Sequence, residues 1–286
     1  MSAARPPRAG VCGWPVAHSR SPMIHGYWLR TLGIEGAYER FATPPGEFPA
    51  FAASIGVDGL VGANVTAPHK EAAFAACDRL AADARGSGAV NTLWREDGVL
   101  CGDNTDVAGF LANLDAGAPN WCREAGTAVV VGAGGAARAI VHALLSRGLE
   151  RVAILNRTPG RAAALAARYG RGTTAASWRE LPEWLERADL LVNTTTLGMA
   201  GQGPLEIDLA PMKKTAVVAD IVYVPLATPL IEAARRRDLR AVEGLGMLLH
   251  QAAPGFERWF GVRPTVTPEL RALVEADILA AQKGLS

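Results

Sequence analysis

Residues 65–70, "VTAPHK", place two candidate proton-transfer side chains next to each other, His69 and Lys70. Histidine is the usual choice near neutral pH, because its unperturbed pKa is about 6.5 and that of lysine is about 10.4. Pro68 indicates a helix start, and a helix over 68–82 would place Lys70 in its apolar stripe and His69 about 100° away, towards the edge. Lysine is rarely buried without a partner, so this geometry favours Lys70 if a carboxylate faces it, and Asp106 is the candidate. A lysine that extends from the helix end into solvent is the alternative.

Two more polar turns resemble this one in design, "HSRSP" (18–22) and "GDNTD" (102–106). Such turns between strands and helices lie at the carboxyl ends of parallel strands, where ligands bind. Ser19 and Ser21 are two residues apart, and Ser21 precedes a proline, so both hydroxyls point the same way from extended backbone. Two hydroxyls beside a helix N-terminus suit a carboxylate. The alternative is that Ser21 only caps the helix.

The clearest nucleotide-binding motif is "GAGGAA" at 132–137, which fits G-x-G-x-x-G/A between an apolar strand and a helix. Glycines permit a tight turn and let the backbone approach a pyrophosphate at the helix N-terminus. The strand before and the helix after give the motif its expected context. We expect a dinucleotide here, bound by Gly132, Ala133, Gly134, Gly135 and Ala136.

The segment "NRTPGR" after the next strand indicates which dinucleotide binds. An NAD site usually carries an acidic residue about 20 residues after the glycine motif, bonded to the ribose 2′-hydroxyl. This chain instead has Asn156, Arg157, Thr158 and Arg161, which would accept a 2′-phosphate. Cations near a helix N-terminus are disfavoured by its dipole, so an anionic ligand should compensate them. The cofactor predicted is NADP.

Short β-rich runs alternate with longer helical runs, the signature of an α/β fold with mostly parallel sheets. We expect strands near 10–13, 36–41, 58–65, 127–131, 151–156, 188–195 and 215–223, helices near 22–32, 46–55, 68–82, 135–148 and 158–170, and a strand pair around Asp97-Gly98. From Gly244 the chain is helical, with Thr267 as N-cap of the last helix. The predicted architecture has two domains, with residues 1–106 forming an N-terminal α/β substrate domain, 107–243 a Rossmann-type NADP-binding domain, and 244–286 helices that pack back on the first.

The composition argues against several classes of protein. The chain has 286 residues and a formal net charge of +1, so no charge excess favours nucleic acid or a membrane surface. Four cysteines form neither a C-x-x-C pair nor a zinc pattern, which predicts a reduced, cytoplasmic protein without a metal. The first ten residues lack the apolar core of a signal peptide and are predicted to be a mostly disordered tail. The oligomeric state is open, a homodimer included.

Eight motifs in order resemble the shikimate dehydrogenase family: "GWPVAHSRSP", "GANVTAPHKE", "GAVNTL", "GDNTD", "GAGGAAR", "NRTPGR", "DIVYVPLATPL" and "GLGMLLHQA". The resemblance runs from about Val11 to the last helix. It implies reversible NADPH-dependent reduction of 3-dehydroshikimate to shikimate in aromatic amino-acid biosynthesis, with Lys70 as the catalytic acid–base group and Asp106 as its partner. It also implies substrate binding by Ser19, Ser21, Thr66, Asn91, Tyr223 and Gln251. Residues 156–161, Ile221, Gly244 and Met247 would line the cofactor together with the glycine turn.

Three positions depart from the family pattern: Val107, Thr194 and Pro225 stand where glycine, alanine and asparagine are common. None of them removes a functional group that the reaction needs. Two other functions stay open, a quinate/shikimate dehydrogenase that uses NAD and a catalytically inactive NADP-sensing relative. The basic "NRTPGR" and the serine pair favour NADP and shikimate, and Lys70 with Asp106 favours an active enzyme.

Overall fold

The computed structural model describes residues 6–123 and 126–283. They form two compact units, one from the described residues of Met1–Val107 and Leu249–Val274, the other from those of Ala108–Leu248 and Glu275–Ser286. This division places residues 244–248 and 275–283 with the second unit.

The first unit contains a mixed six-stranded sheet in the order β2-β1-β3-β5-β6-β4. Its strands are β1 Arg8–Gly13, β2 Ala37–Ala42, β3 Leu60–Val65, β4 Arg79–Leu80, β5 Thr92–Glu96 and β6 Val99–Asp103. Its helices are α1 Ser21–Thr31, α2 Phe48–Ser54, α3 Lys70–Ala76 and α4 Ala82–Ser87. Strands β1, β2 and β3 are parallel, and β5 is antiparallel to both β3 and β6. The predicted strand pair around Asp97-Gly98 is confirmed, since both residues have positive φ, as a two-residue hairpin turn requires.

The second unit is a fully parallel sheet in the order β12-β11-β10-β7-β8-β9. Helix α5 Asp106–Gly117 precedes it, and its elements are β7 Thr127–Val131, α6 Gly135–Ser146, β8 Arg151–Leu155, α7 Pro159–Tyr169, β9 Thr173–Ala176, α8 Leu181–Arg187, β10 Leu190–Asn193, β11 Val217–Asp220, α9 Pro229–Arg236 and β12 Arg240–Val242. Counted within the sheet, this is the 3-2-1-4-5-6 order of a Rossmann fold, with its switch point between β7 and β10. Both of these strands are wholly buried, as expected of central parallel strands covered on two faces.

Two long helices complete the chain, α10 Leu245–Phe260 and α11 Pro268–Lys283. The Leu270 backbone N–H donates to Thr267 Oγ1 at 3.3 Å, which confirms Thr267 as the N-cap. None of the helices within 6–123 and 126–283 combines the length and apolar character that crossing a membrane requires.

Two local predictions are wrong. Residues 68–82 do not form one helix: α3 begins at Lys70 and ends at Ala76, and Cys77 is extended. The backbone N–H of Asp78 donates to Leu100, and the Leu100 N–H donates back to the Asp78 carboxylate, so sheet pairing with β6 ends the helix. The predicted N-terminal tail is shorter than ten residues because Arg8 already pairs in β1, while residues 1–5 lie outside the described part.

Candidate active site

Lys70 and Asp106 form an ion pair between the first residues of α3 and α5. Lys70 Nζ donates to Asp106 Oδ2, and the two side chains are 15% and 7% exposed. The lysine therefore points inward to a carboxylate rather than out to solvent. In such a buried pair, each charge depends on the other, since removal of one partner leaves an uncompensated charge.

Asn91 is the centre of the polar network around this ion pair. Its amide Nδ2 donates to Asp106 Oδ1 at 2.9 Å and to Gln251 Oε1 at 3.3 Å. Its Oδ1 accepts from the backbone N–H of Thr105 at 2.8 Å. The carboxylate of Asp106 thus accepts from lysine on one oxygen and from an amide on the other, which fixes its plane and the position of the ammonium group. Four of the predicted site residues, Lys70, Asn91, Asp106 and Gln251, are brought together in this way.

Three polar residues in the same network carry no role in the sequence analysis: Asn64, Thr92 and Thr105. Asn64 Nδ2 donates to the Asn91 carbonyl and to Thr92 Oγ1, both at 3.2 Å. Thr92 Oγ1 donates to Asn91 Oδ1 at 2.9 Å, and Asn91 Nδ2 donates to Thr105 Oγ1 at 3.0 Å. All three lie within motifs quoted above, but only the pairing of β5 with both β3 and β6 shows that their side chains meet.

His69 is buried, not at the edge of an apolar stripe. It precedes α3, is 2% exposed, and its Nε2 lies 2.7 Å from the Thr43 carbonyl. Its ring stacks on Phe48 with centroids 4.9 Å apart. Because a nitrogen that contacts a carbonyl is a donor, Nε2 carries the proton, and His69 secures the turn that precedes Lys70.

The side chains of Ser19 and Ser21 are buried and lie next to each other. Ser19 Oγ donates to Ser21 Oγ at 3.3 Å, and the Ser21 backbone N–H donates to Ser19 Oγ at the same distance. Ser21 is the first residue of α1 and Arg20 occupies the cap position, so the reading of Ser21 as an N-cap is wrong. The Arg40 guanidinium donates to the Ser19 carbonyl at 2.6 and 3.1 Å and holds this turn.

Thr66 lies beside the serine turn, because the ends of β1 and β3 are neighbours in the sheet. Its backbone N–H donates to the Cys12 carbonyl at 2.8 Å, and the Trp14 N–H donates to the Ala67 carbonyl at 3.1 Å. A Cβ on Gly13 would lie 2.3 Å from Thr66 Cγ2, so glycine at 13 makes room for this side chain. The turns after β1 and β3 therefore present Ser19, Ser21 and Thr66 at one edge of the sheet.

Cys12 and Cys77 do not offer an alternative nucleophile. All four cysteines are free, and burial raises the pKa of the Cys12 thiol to about 11 and that of Cys77 to about 12. A thiol with such a pKa stays protonated at neutral pH, and the thiolate is the reactive form. Within the described ranges, no group of three or more histidine, cysteine or acidic side chains is placed to hold a metal ion.

In the second unit, the glycine turn lies at the switch point between β7 and β10. Gly132 has φ of +117°, and a Cβ there would lie 2.3 Å from Thr194 Oγ1. The turn is tied down by the Gly132 N–H, which donates to Leu155, and by Thr194, which donates to Val131 through its N–H and its hydroxyl. A Cβ on Gly134 would meet nothing within 4 Å, so the N-terminus of α6 is open to a ligand. This cradle fits a pyrophosphate.

The basic turn between β8 and α7 is exposed. Asn156 Nδ2 donates to the Thr158 carbonyl at 2.9 Å, which shapes the turn. Arg157, Thr158 and Arg161 are exposed, and the first turn of α7 contains no acidic residue. A bound anion would therefore compensate the charge at this helix N-terminus.

Sequence reasoning missed a buried carboxylate at the end of β11. Asp220 is 2% exposed and accepts from Asn193 Nδ2 at 2.9 Å, from the Val222 N–H at 2.9 Å and from Thr228 Oγ1 at 2.7 Å. Burial raises its pKa to about 6. The carboxylate holds both ends of the loop 221–228, which carries the predicted site residues Ile221 and Tyr223. Asp220 is the first residue of the motif "DIVYVPLATPL", and this position was the signal in the sequence that could have indicated its role.

Gly244 and Met247 lie after β12. A Cβ on Gly244 would lie 2.5 Å from the Ile221 carbonyl oxygen, so this close approach of backbones requires glycine. Met247 is a buried residue of α10. Tyr223 belongs to the second unit and the other five predicted substrate residues to the first.

Three family models match the chain. They describe the shikimate dehydrogenase substrate binding domain (residues 11–93), shikimate/quinate 5-dehydrogenase (121–229) and the shikimate 5′-dehydrogenase C-terminal domain (244–268). The chain is 58% identical over 278 residues to a shikimate dehydrogenase (NADP(+)) of Methylocella silvestris, with 97% of this chain and 99% of the relative covered. A protein of the same name from Brucella abortus strain S19 is 55% identical, with 98% of each chain covered.

Solved structures agree with these matches. Shikimate 5-dehydrogenase from Thermus thermophilus in complex with NADP(H) and shikimate is 38% identical, with a TM-score of 0.83 over 95% of this chain and 99% of that one. Quinate dehydrogenase from Corynebacterium glutamicum in complex with NAD is 29% identical, with a TM-score of 0.85 over the same shares. The chain belongs to the shikimate dehydrogenase family.

Proposed function

We propose that this protein is an NADP-dependent shikimate dehydrogenase, an oxidoreductase that reversibly reduces 3-dehydroshikimate to shikimate. The observation that carries the proposal is the ion pair of Lys70 and Asp106, which shares hydrogen bonds with Asn91 and Gln251. It occurs in a chain that is 58% identical to a shikimate dehydrogenase (NADP(+)).

Lys70 acts as the general acid in reduction and the general base in the reverse direction. Bound NADPH supplies the hydride for the carbonyl carbon. Lys70 Nζ gives a proton to the carbonyl oxygen, so that a C–OH group is formed, and takes it back in oxidation. Asp106 orients the ammonium group and stabilises its charge, and Asn91 fixes the carboxylate. A proton-transfer residue of this kind contributes about 10²–10⁴ to turnover.

The substrate is a carboxylate with ring hydroxyls, and the first unit offers groups for both. Ser19 and Ser21 present paired hydroxyls near the start of α1 for the carboxylate. Thr66, Asn91 and Gln251 offer a hydroxyl and two amides for the ring oxygens. The family resemblance also assigns substrate binding to Tyr223. Buried hydrogen-bonding groups of this kind reject analogues that leave them unpaired.

We assign the cofactor residues from the glycine and basic motifs and from the family resemblance. Gly132–Ala136 hold the pyrophosphate at the start of α6, and Asn156, Arg157, Thr158 and Arg161 bind the 2′-phosphate of NADP. Ile221, Gly244 and Met247 line the nicotinamide end. We assign the substrate domain to 1–106, the NADP domain to 107–243 and the C-terminal helices to 244–286, and we place the enzyme in the cytoplasm.

A quinate/shikimate dehydrogenase that uses NAD is the second candidate. It is favoured by the likeness to the NAD complex of quinate dehydrogenase. The turn after β8 argues against it, because it offers two guanidinium groups where an NAD site usually has a carboxylate.

The test is an absorbance assay at 340 nm with shikimate or quinate as substrate and NADP or NAD as cofactor. We expect shikimate with NADP to give the highest kcat/KM. If quinate with NAD is preferred, the second candidate is correct. If NADP binds but no pair is turned over, the chain is an NADP-sensing relative without activity.

A further inference from the structure

Tyr38 of β2 is part of the hydrogen-bond network around Lys70. Its side chain is 9% exposed, and its hydroxyl donates to Asn64 Oδ1 at 2.6 Å. Burial raises the pKa of Tyr38 well above its ordinary value, so the phenol remains a neutral donor.

From Asn64, further hydrogen bonds lead to the ion pair of Lys70 and Asp106. Asn64 Nδ2 donates to the Asn91 carbonyl and to Thr92 Oγ1, and Asn91 Nδ2 donates to the Asp106 carboxylate. The phenol therefore fixes the Asn64 amide, and this amide supports Asn91 and Thr92 beside the ion pair.

A buried histidine holds the phenol ring in place. His25, one turn after Ser21 on α1, is 0% exposed and stacks on Tyr38 with centroids 3.8 Å apart and planes 5° from parallel. Phe256 and Trp259 pack around the same pair. Neither His25 ring nitrogen has a hydrogen-bond partner among the described residues, and burial lowers its pKa to about 3. His25 is thus a neutral, flat ring that restricts Tyr38 to one orientation.

We propose that Tyr38 is a positioning residue for the reaction, whose hydroxyl holds Asn64, and through it Asn91, in the arrangement that binds the substrate. The proposal rests on the proposed function and goes beyond it, since it assigns a role to a residue that need not touch the substrate. Without the hydroxyl, Asn64 Oδ1 loses its donor, so the amide that supports Asn91 and Thr92 can turn away.

The test is Tyr38→Phe, which removes one oxygen and leaves the aromatic packing nearly unchanged. One neutral hydrogen bond corresponds to roughly 3- to 10-fold in an equilibrium constant, so we expect KM for shikimate to rise about 3- to 10-fold. The KM for NADP should stay within twofold of the wild-type value. A purely structural role would reduce the fraction of active enzyme, which lowers apparent kcat and leaves KM unchanged. A KM for shikimate less than threefold above wild type overturns the proposal.

Tyr27→Phe is the matched control, because Tyr27 is on α1 and its hydroxyl is outside the network. We expect wild-type kinetics from it. A double-mutant cycle that combines Tyr38→Phe with Asn64→Ala tests the route. If Tyr38 acts through Asn64, the addition of Tyr38→Phe raises the KM of Asn64→Ala less than twofold. Independent effects would multiply and contradict the route. A wild-type enzyme without activity on shikimate would refute the proposed function instead, so the two failures are distinguishable.

Discussion

The two candidate binding regions are built in opposite ways. Around Lys70, the side chains hold one another through hydrogen bonds. The Asn91 amide, for example, contacts Asp106, Thr105 and Gln251. At the turn after β7, the essential feature is the lack of side chains. The Thr194 hydroxyl leaves no space for a Cβ at Gly132, and the open space around Gly134 leaves the N-terminus of α6 accessible. Chemistry that moves a proton needs a specific group fixed at one place, whereas a pyrophosphate needs backbone N–H groups that a ligand can approach.

This difference predicts where single substitutions act most strongly. In the first region the loss of one functional group should abolish a chemical step. In the second, the loss of one side chain should weaken binding and change the choice of cofactor.

The largest effect is expected from Lys70→Ala. The variant removes the proton donor, so turnover should fall about 10²- to 10⁴-fold in the 340 nm assay with shikimate and NADP. His69→Gln is the neighbouring control, because glutamine retains a donor for the Thr43 carbonyl and should keep turnover within about threefold. A Lys70→Ala enzyme with more than half of wild-type turnover would show that another group transfers the proton.

A smaller effect, selective for the cofactor, is expected from the double variant Arg157→Ala/Arg161→Ala. The loss of charge-assisted hydrogen bonds to a 2′-phosphate should lower kcat/KM for NADP roughly 10- to 100-fold. The value for NAD, which lacks that phosphate, should change less than twofold. Arg171→Ala, an exposed arginine beyond α7, serves as control. Equal losses with both cofactors would contradict 2′-phosphate recognition.

Asp220 should affect stability and its pH dependence rather than turnover. Its pKa is raised from 3.8 to about 6 by burial, so between these values the folded state holds a proton that the unfolded state has lost. Its contribution to stability is therefore fully present below about pH 4 and is lost as pH rises through 6. Relative to Asp220→Asn, wild type should lose roughly 3 kcal/mol of unfolding free energy from pH 4 to pH 7, at about 1.4 kcal/mol per pKa unit.

Urea unfolding of both proteins at several pH values measures this difference. The exposed Asp238→Asn is the control and should follow wild type at every pH. If Asp220→Asn and wild type have parallel pH profiles, the carboxylate is not destabilised by burial in the folded state.

Local patterns predicted much of this structure. The strand, glycine turn and helix at 127–146 follow from consecutive residues, as do the hairpin at Asp97-Gly98 and the N-cap at Thr267. The helix predicted over 68–82 failed because its ending depends on Asp78 and Leu100, which are far apart along the chain. The burial of His69 was missed for the same reason, since its partner Thr43 belongs to another turn.

The sequence by itself determined the α/β class, the nucleotide-binding turn and the residues able to transfer a proton, because these depend on residue type and short spacing. Only the tertiary structure decided which of these residues meet. Lys70 faces Asp106, Tyr38 holds Asn64, and Asp220 accepts from Asn193. Each of these contacts joins residues that the sheets bring together from distant parts of the chain, and a partner distant in the chain leaves no local signal.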